Sequence, residues 1–185
     1  MFEFGLETAK NGGLILVCGN GGSAADSEHT VAELMKGFLL KRELENGELQ
    51  KFTDAGFKCL AEKLQYAIPA ISLVSQVGLI SAYANDVASE AVFAQQVFAY
   101  RNFARLLLAI STSGNSENVL NAVKTAKVLG IKTVGLLGKD GGEITKITDC
   151  SVIVPEKQTH KIQELHLPIY HAWCATLEAE MFGRS

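Results

Sequence analysis

The chain has 185 residues and 19.9 kDa, of which 48% are hydrophobic and 20% charged. That composition excludes extensive disorder and predicts one domain over 1–185. A formal net charge of −3 and a pI near 5.8 exclude the basic footprint of a nucleic-acid or anionic-membrane binder.

The first segment, MFEFGLETAKNGG, carries acidic residues where a secretory leader would be basic and has no apolar core. The apolar stretch from Tyr66 to Ala84 is interrupted by Pro69, Ser72, Ser75, Gln76 and Gly78, which favours a buried strand and helix over a membrane span. Cys18, Cys59, Cys150 and Cys174 are scattered singly with no C-x-x-C pair, so neither a zinc ribbon nor a dithiol motif is present. They read as small hydrophobes in a reducing compartment, and the expectation is a cytoplasmic protein.

Short apolar runs then recur, each ending in a Gly/Ser/Asn turn. Leu14–Cys18 (LILVC) is followed by GNGGS and a helical pattern to about Leu39. Ala67–Val74 precedes a helix carrying Leu79 and Ile80. Leu106–Ile110 (LLLAI) ends in STSGNS and a helix to Leu129. Lys132–Leu137 runs into LGKDGGE, and Cys150–Val154 precedes a long helix from about Lys161 to Met181. Apolar strands alternating with helices predict an α/β fold, a doubly wound, parallel five-stranded sheet with helices on both faces. Ligands in such folds sit beyond the carboxyl ends of the strands. Lys41–Gln65 stands apart as a charged, weakly helical insertion, read as a surface excursion or as a lid or subunit contact.

Two loops are suited to anions. Gly19-Asn20-Gly21-Gly22-Ser23 follows a strand and opens a helix, so backbone N–H groups and the helix dipole can face a phosphate, with Ser23 suited to the N-cap. The same letters satisfy a loose G-x-G-x-x-A dinucleotide pattern, but no acidic residue is clearly placed on a neighbouring strand end to support it. Ser111-Thr112-Ser113-Gly114-Asn115-Ser116 offers four hydroxyls within six residues. Ser116 alone would cap the helix, so the surplus points to a phosphomonoester.

His29 and Glu33 are spaced i, i+4 and share one face of the helix behind the first loop. Gln163 and His171 are eight residues apart, about 12 Å of helical rise, so they must converge from separate turns to share a ligand or ion.

The strand–STSGNSENV–helix unit resembles the sugar isomerase (SIS) domain family. GNGGS followed by His29 and Glu33 is similar to its phosphoheptose isomerase branch, as is IQELHLPIYH near the C-terminus. The resemblance implies isomerisation of sedoheptulose 7-phosphate or a related ketose phosphate to an aldose phosphate through an enediol or enediolate. It implies Glu33 as base and His171 as acid, with phosphate and sugar held by Asn20, Gly21, Gly22, Ser23, Asp86, Ser111, Thr112, Ser113, Ser116 and Gln163. It implies a zinc site at His29, Glu33, Gln163 and His171, although an amide oxygen is an unusual zinc ligand. It also implies a homo-oligomer, a tetramer by analogy. Such a base should have its pKa lifted by burial or lie beside the reacting carbon. His166 and Glu164 read as structural, and His160 stands where the family commonly has an acidic residue. A non-catalytic phosphosugar-binding module and a dinucleotide enzyme remain alternatives.

Overall fold

The computed structural model describes residues 1–183. Helix α1 (Phe2–Lys10) leads into β1 (Leu14–Cys18) and α2 (Gly22–Met35). Two short helices, α3 (Asn46–Asp54) and α4 (Lys58–Ala61), occupy the insertion before β2 (Ala70–Ser72). Helix α5 (Val77–Tyr83), a π-turn over Ala84–Ala88 and a 3-10 turn over Ser89–Ala91 precede α6 (Val92–Ala99). The rest alternates regularly: β3 (Ala104–Ser111), α7 (Glu117–Val128), β4 (Lys132–Leu137), α8 (Gly142–Thr145), β5 (Cys150–Ile153) and α9 (Thr159–Phe182).

All strand pairs are parallel, in the order β2-β1-β3-β4-β5. The central strands are buried on both sides, which is why they read as unbroken apolar runs rather than alternating ones. Alternate residues feed two cores. Leu16, Cys18, Leu107 and Ala109 meet Val92, Phe93 and Val97 of α6 and Val119, Ala122, Val123 and Ala126 of α7. Ile15, Val17, Leu106, Leu108 and Ile110 meet Leu34 of α2 and Tyr170, Trp173, Cys174 and Leu177 of α9.

The structure corrects two expected boundaries. The second strand is Ala70–Ser72 rather than Ala67–Val74, because it is an edge strand preceded by Pro69, which has no N–H to give the ladder. Helix α2 stops at Met35 rather than near Leu39. Arg42 and Glu178 capture the chain that follows, as described below. Most of the insertion lies on the surface, where α3 buries no residue and Phe57 and Leu60 are exposed, while Arg42 at its start and Ala61 of α4 are buried. No helix among the described residues is long and apolar enough to cross a membrane.

Candidate active site

The strand order reverses between β1 and β3, since β1 connects onward to β2 on one side while β3 lies on the other. The crevice beyond their carboxyl ends is where open parallel sheets bind ligands. The two anion loops lie there, one after each strand, and reciprocal amide bonds tie them together. Asn20 Nδ2 donates to Asn118 Oδ1 at 2.8 Å, and Asn118 Nδ2 donates to Asn20 Oδ1 at 3.0 Å. An open cleft of about 370 Å³ between them is lined by Asn20, Ser89, Glu90, Ser116, Glu117 and Asn118. A larger concavity of about 670 Å³ lies elsewhere, between Lys41, Arg42, Glu43, Glu45, Tyr66 and the end of α9, away from His29 and Glu33 in sequence and element.

In the first loop, Gly21 at φ 56° takes the N-cap place of α2 and offers no side-chain cap. Ser23 is therefore not the cap but a buried first-turn residue, its N–H bonded to Asn20 O at 3.0 Å. Gly22 lies under Gln163: a Cβ there would overlap the Gln163 amide.

In the second loop, Ser111 Oγ accepts the Gly114 N–H at 3.1 Å and Ser113 Oγ accepts the Asn115 N–H at 3.1 Å. Both hydroxyls shape the loop as acceptors and keep a proton to donate. Ser116 is the N-cap of α7 but caps with no side-chain bond, its Oγ lying 3.2 Å from Ser111 Oγ. Thr112 adds a half-buried hydroxyl.

Helices α2 and α9 run side by side in the same direction, with Gly22 at Gln163, His29 at Tyr170 and His171, and Thr30 at Cys174. Two of the expected residues are thereby joined by a third: His29 Nε2 is 3.2 Å from Glu33 Oε1, and the His29 and His171 rings meet edge to face at 4.9 Å. Gln163 lies against Gly22, which precedes His29 by seven residues of α2, or about 10 Å of helical rise. Asp86 is exposed on the π-turn, where Asn85 Nδ2 donates to it at 2.8 Å. His166 is fully buried and bonds Leu137 O through Nε2 at 3.1 Å, so it is structural as expected. Glu164 and His160 are exposed on α9.

The structure adds residues that the sequence reading passed over. Lys36 Nζ donates to Glu33 Oε2 at 2.6 Å. The Tyr170 hydroxyl is 3.0 Å from His29 Nδ1 and 3.4 Å from Asp26 Oδ1. It has one proton; donated to Nδ1, it leaves His29 Nε2–H to donate to Glu33. Asp26 shares the i, i+3, i+7 face with His29 and Glu33, a spacing that could have found it.

Burial raises Asp26 above the usual carboxylate range, against the Tyr170 hydroxyl and the His29 charge. At Glu33 burial also opposes ionisation, but Lys36 and then His29 outweigh it and the pKa falls. Of the two expected routes to a working base, burial therefore does not lift Glu33. Glu33 is held ionised chiefly by the Lys36 ammonium, with His29 as a further hydrogen-bond partner.

The donors suit zinc in type. His29 Nε2 and Glu33 Oε1 at 3.2 Å match the roughly 3.3 Å that separates two ligands about 2.0–2.1 Å from a tetrahedral ion. His171 Nε2 is buried beside them with no hydrogen-bond partner. Among the described residues no three His, Cys, Asp or Glu side chains form a preassembled metal group.

No family model matches the chain. It is 38% identical over 179 residues to the phosphoheptose isomerase of Aliarcobacter butzleri, covering 97% of this chain and 82% of that one. It is 39% identical over 181 residues to the phosphoheptose isomerase of Clostridium acetobutylicum, covering 98% and 81%. Among solved structures, a phosphoheptose isomerase from Francisella tularensis superposes with a TM-score of 0.78 at 32% identity, covering 95% of this chain and 81% of that one. With 82% of a relative's length matched at 38% identity, and an acid–base cluster behind paired anion loops at the switch point, the chain belongs to the phosphoheptose isomerase family, enzymes that isomerise phosphosugars.

Proposed function

We propose that the protein interconverts sedoheptulose 7-phosphate and an aldoheptose 7-phosphate through an enediolate. The observation that carries this reading is the contact of His29, Glu33 and His171 on two parallel helices, one of which begins at the anion loop. The phosphate is held by the N–H groups that open α2 and α7 and by the hydroxyls of Ser23, Ser111, Thr112, Ser113 and Ser116. Asn20, Gln163 and Asp86 serve the sugar hydroxyls. Glu33 removes a proton from C1, and the C1–H electron pair becomes the C1=C2 bond as the carbonyl oxygen at C2 takes a proton from His171. Return of the carbon-derived proton to C2, with loss of the C1 hydroxyl proton, gives the aldehyde.

A zinc ion, when bound by His29, Glu33, Gln163 and His171, would act as a Lewis acid on the carbonyl oxygen. Elemental analysis of the purified protein tests this, and a zinc content well below one ion per chain removes the metal from the proposal. A homotetramer is proposed on the exposed Leu165 and Leu167 of α9 and the exposed Val77 and Val87. A monomer by sedimentation refutes it.

The test of the reaction is incubation with ketose phosphates in deuterated water. Incorporation at C1 or C2 is expected, and loss of at least about 10²-fold turnover in Glu33→Gln and in His171→Ala. Wild-type turnover in either variant overturns its assigned role.

A further inference from the structure

Directly behind the site lies an ion pair with no exposed side-chain surface on either partner. Arg42 Nε donates to Glu178 Oε1 at 2.8 Å. Nothing in the chemistry described so far uses it. An ion pair in a protein interior is costly to desolvate and is weak support for stability, so its presence calls for what else it holds.

Its remaining bonds go to the main chain at the end of α2 and in the turn that follows. Arg42 Nη1 donates to Leu34 O at 2.6 Å, and Nη2 donates to Glu33 O at 3.1 Å. These carbonyls end α2, which carries no basic residue in its last turn. The guanidinium thus supplies the cation and donors that a helix C-terminus lacks. On the other side, Glu178 accepts the N–H groups of Phe38 at 2.7 Å, Leu39 at 2.6 Å and Leu40 at 3.0 Å. Burial opposes ionisation of Glu178, but those N–H groups and then Arg42 keep its pKa below the usual range. The turn it fixes presents Phe38, whose ring packs against His171 at 5.4 Å.

One buried pair therefore fastens the main chain of Glu33 from behind and, through Phe38, one side of His171. We infer that Arg42 and Glu178 are positioning residues of the isomerase, setting Glu33 and His171 relative to each other without touching substrate. A displacement of the order of 1 Å at reacting groups is enough to cost about a hundredfold in rate. The phosphate loops lie at the opposite end of α2, so binding and turnover separate.

The inference rests on the acid–base assignment of Glu33 and His171, and the experiment keeps the two apart. Steady-state kinetics and thermal unfolding are measured for Arg42→Lys, Glu178→Gln, and the double variant Arg42→Met with Glu178→Leu, beside Glu33→Gln. The double replacement removes both charges, a change that buried pairs often tolerate in stability. The expected result is a folded double variant with kcat down at least tenfold and KM within about threefold. Arg42→Lys, which keeps the charge but loses the fork, recovers part of kcat. If the double variant does not fold, the comparison rests on Arg42→Lys and Glu178→Gln. A kcat within twofold of wild type in the folded double variant or in folded Glu178→Gln, with Glu33→Gln inactive, overturns the positioning role alone. An active Glu33→Gln overturns the acid–base reading instead.

Discussion

Gly114 is where the second anion loop is most exposed to a single methyl group. It sits at φ 66°, and a Cβ there would overlap Gly141 O, a backbone atom that cannot rotate aside. In Gly114→Ala the left-handed conformation costs about 1–2 kcal/mol. The overlap forces the loop from Gly141, so the bonds Gly114 N–H to Ser111 Oγ and Ile144 N–H to Gly114 O go too. At about 1 kcal/mol each, the total is about 3–4 kcal/mol. For a chain of this length that corresponds to a fall of roughly 10 °C in Tm. Gly130→Ala is the control, since Gly130 has φ 71° but open space around its Cβ position. Strain alone then costs about 1–2 kcal/mol, or roughly 5 °C. Differential scanning calorimetry gives both values, and phosphosugar KM should rise only in Gly114→Ala. If Gly114→Ala melts no lower than Gly130→Ala, the close approach of the two loops carries no energy and the reasoning is wrong.

Asn118→Ala removes the amide pair that joins the loops, and at about 0.5–1.5 kcal/mol it should raise KM about three- to tenfold and lower Tm by roughly 1–6 °C; an unchanged KM refutes the link. Asp149 accepts from Thr133 N–H at 2.8 Å, Thr133 Oγ1 at 2.7 Å and Lys127 Nζ at 2.6 Å. Burial opposes its ionisation, yet Lys127 and Thr133 hold its pKa near about 2. A depressed carboxylate stabilises above its unfolded value and loses that contribution as pH falls through the folded one. Denaturant melts from pH 5 to pH 2 should therefore show a loss of about 1–2 kcal/mol, discounted for solvent screening, that is absent in Asp149→Asn. Burial pushes the thiols of Cys18 and Cys174 up to about 12, whereas Cys59 is exposed. Ellman titration of the native protein should find Cys59 fast and Cys18 and Cys174 silent, and rapid labelling of either buried thiol contradicts the packing.

The sheet was legible because a parallel strand covered on both faces must be apolar at every position, and LILVC and LLLAI have no other reading consistent with their flanking turns. Its weakest strand was overread because hydropathy continues through Ala67 and Ile68 although the ladder starts only after Pro69. The histidine–glutamate pair was legible from its spacing on one helix. What local periodicity could not supply was everything contributed across more than a hundred residues. Glu178 closes the turn after α2 from the far end of the chain, so the helix ends four residues before its apolar pattern does. Tyr170 reads in sequence as one more aromatic of the α9 core, and only its hydroxyl's reach to His29 and Asp26 makes it part of the site. The pKa of Glu33 depended in the same way on a neighbour: burial raises it, and Lys36, one turn on, reverses the sign.

The mild acidity of the chain bears on how it grips a dianion. None of the six residues lining the switch-point cleft is Lys or Arg, and two are carboxylates, Glu90 and Glu117. Attraction must come from N–H groups at two helix starts and from neutral hydroxyls, which act at hydrogen-bond range. The long-range field is the part that salt removes, with a screening length of about 10 Å at 0.1 M. Here that field is repulsive, from a net charge of −3 and the two cleft carboxylates. Raising ionic strength from about 0.01 to 0.3 M should therefore leave KM unchanged or lower it by up to about twofold. A cradle of lysines would do the opposite. Glu117→Gln sharpens the distinction, because it removes repulsion at the first turn of α7 along with a helpful partner for the helix dipole. Its KM should fall at low salt and converge on the wild-type value at high salt. A KM that climbs more than about threefold with salt in the wild-type protein would mean that cations hold the phosphate, and the assignment of that task to the two neutral loops would have to be withdrawn.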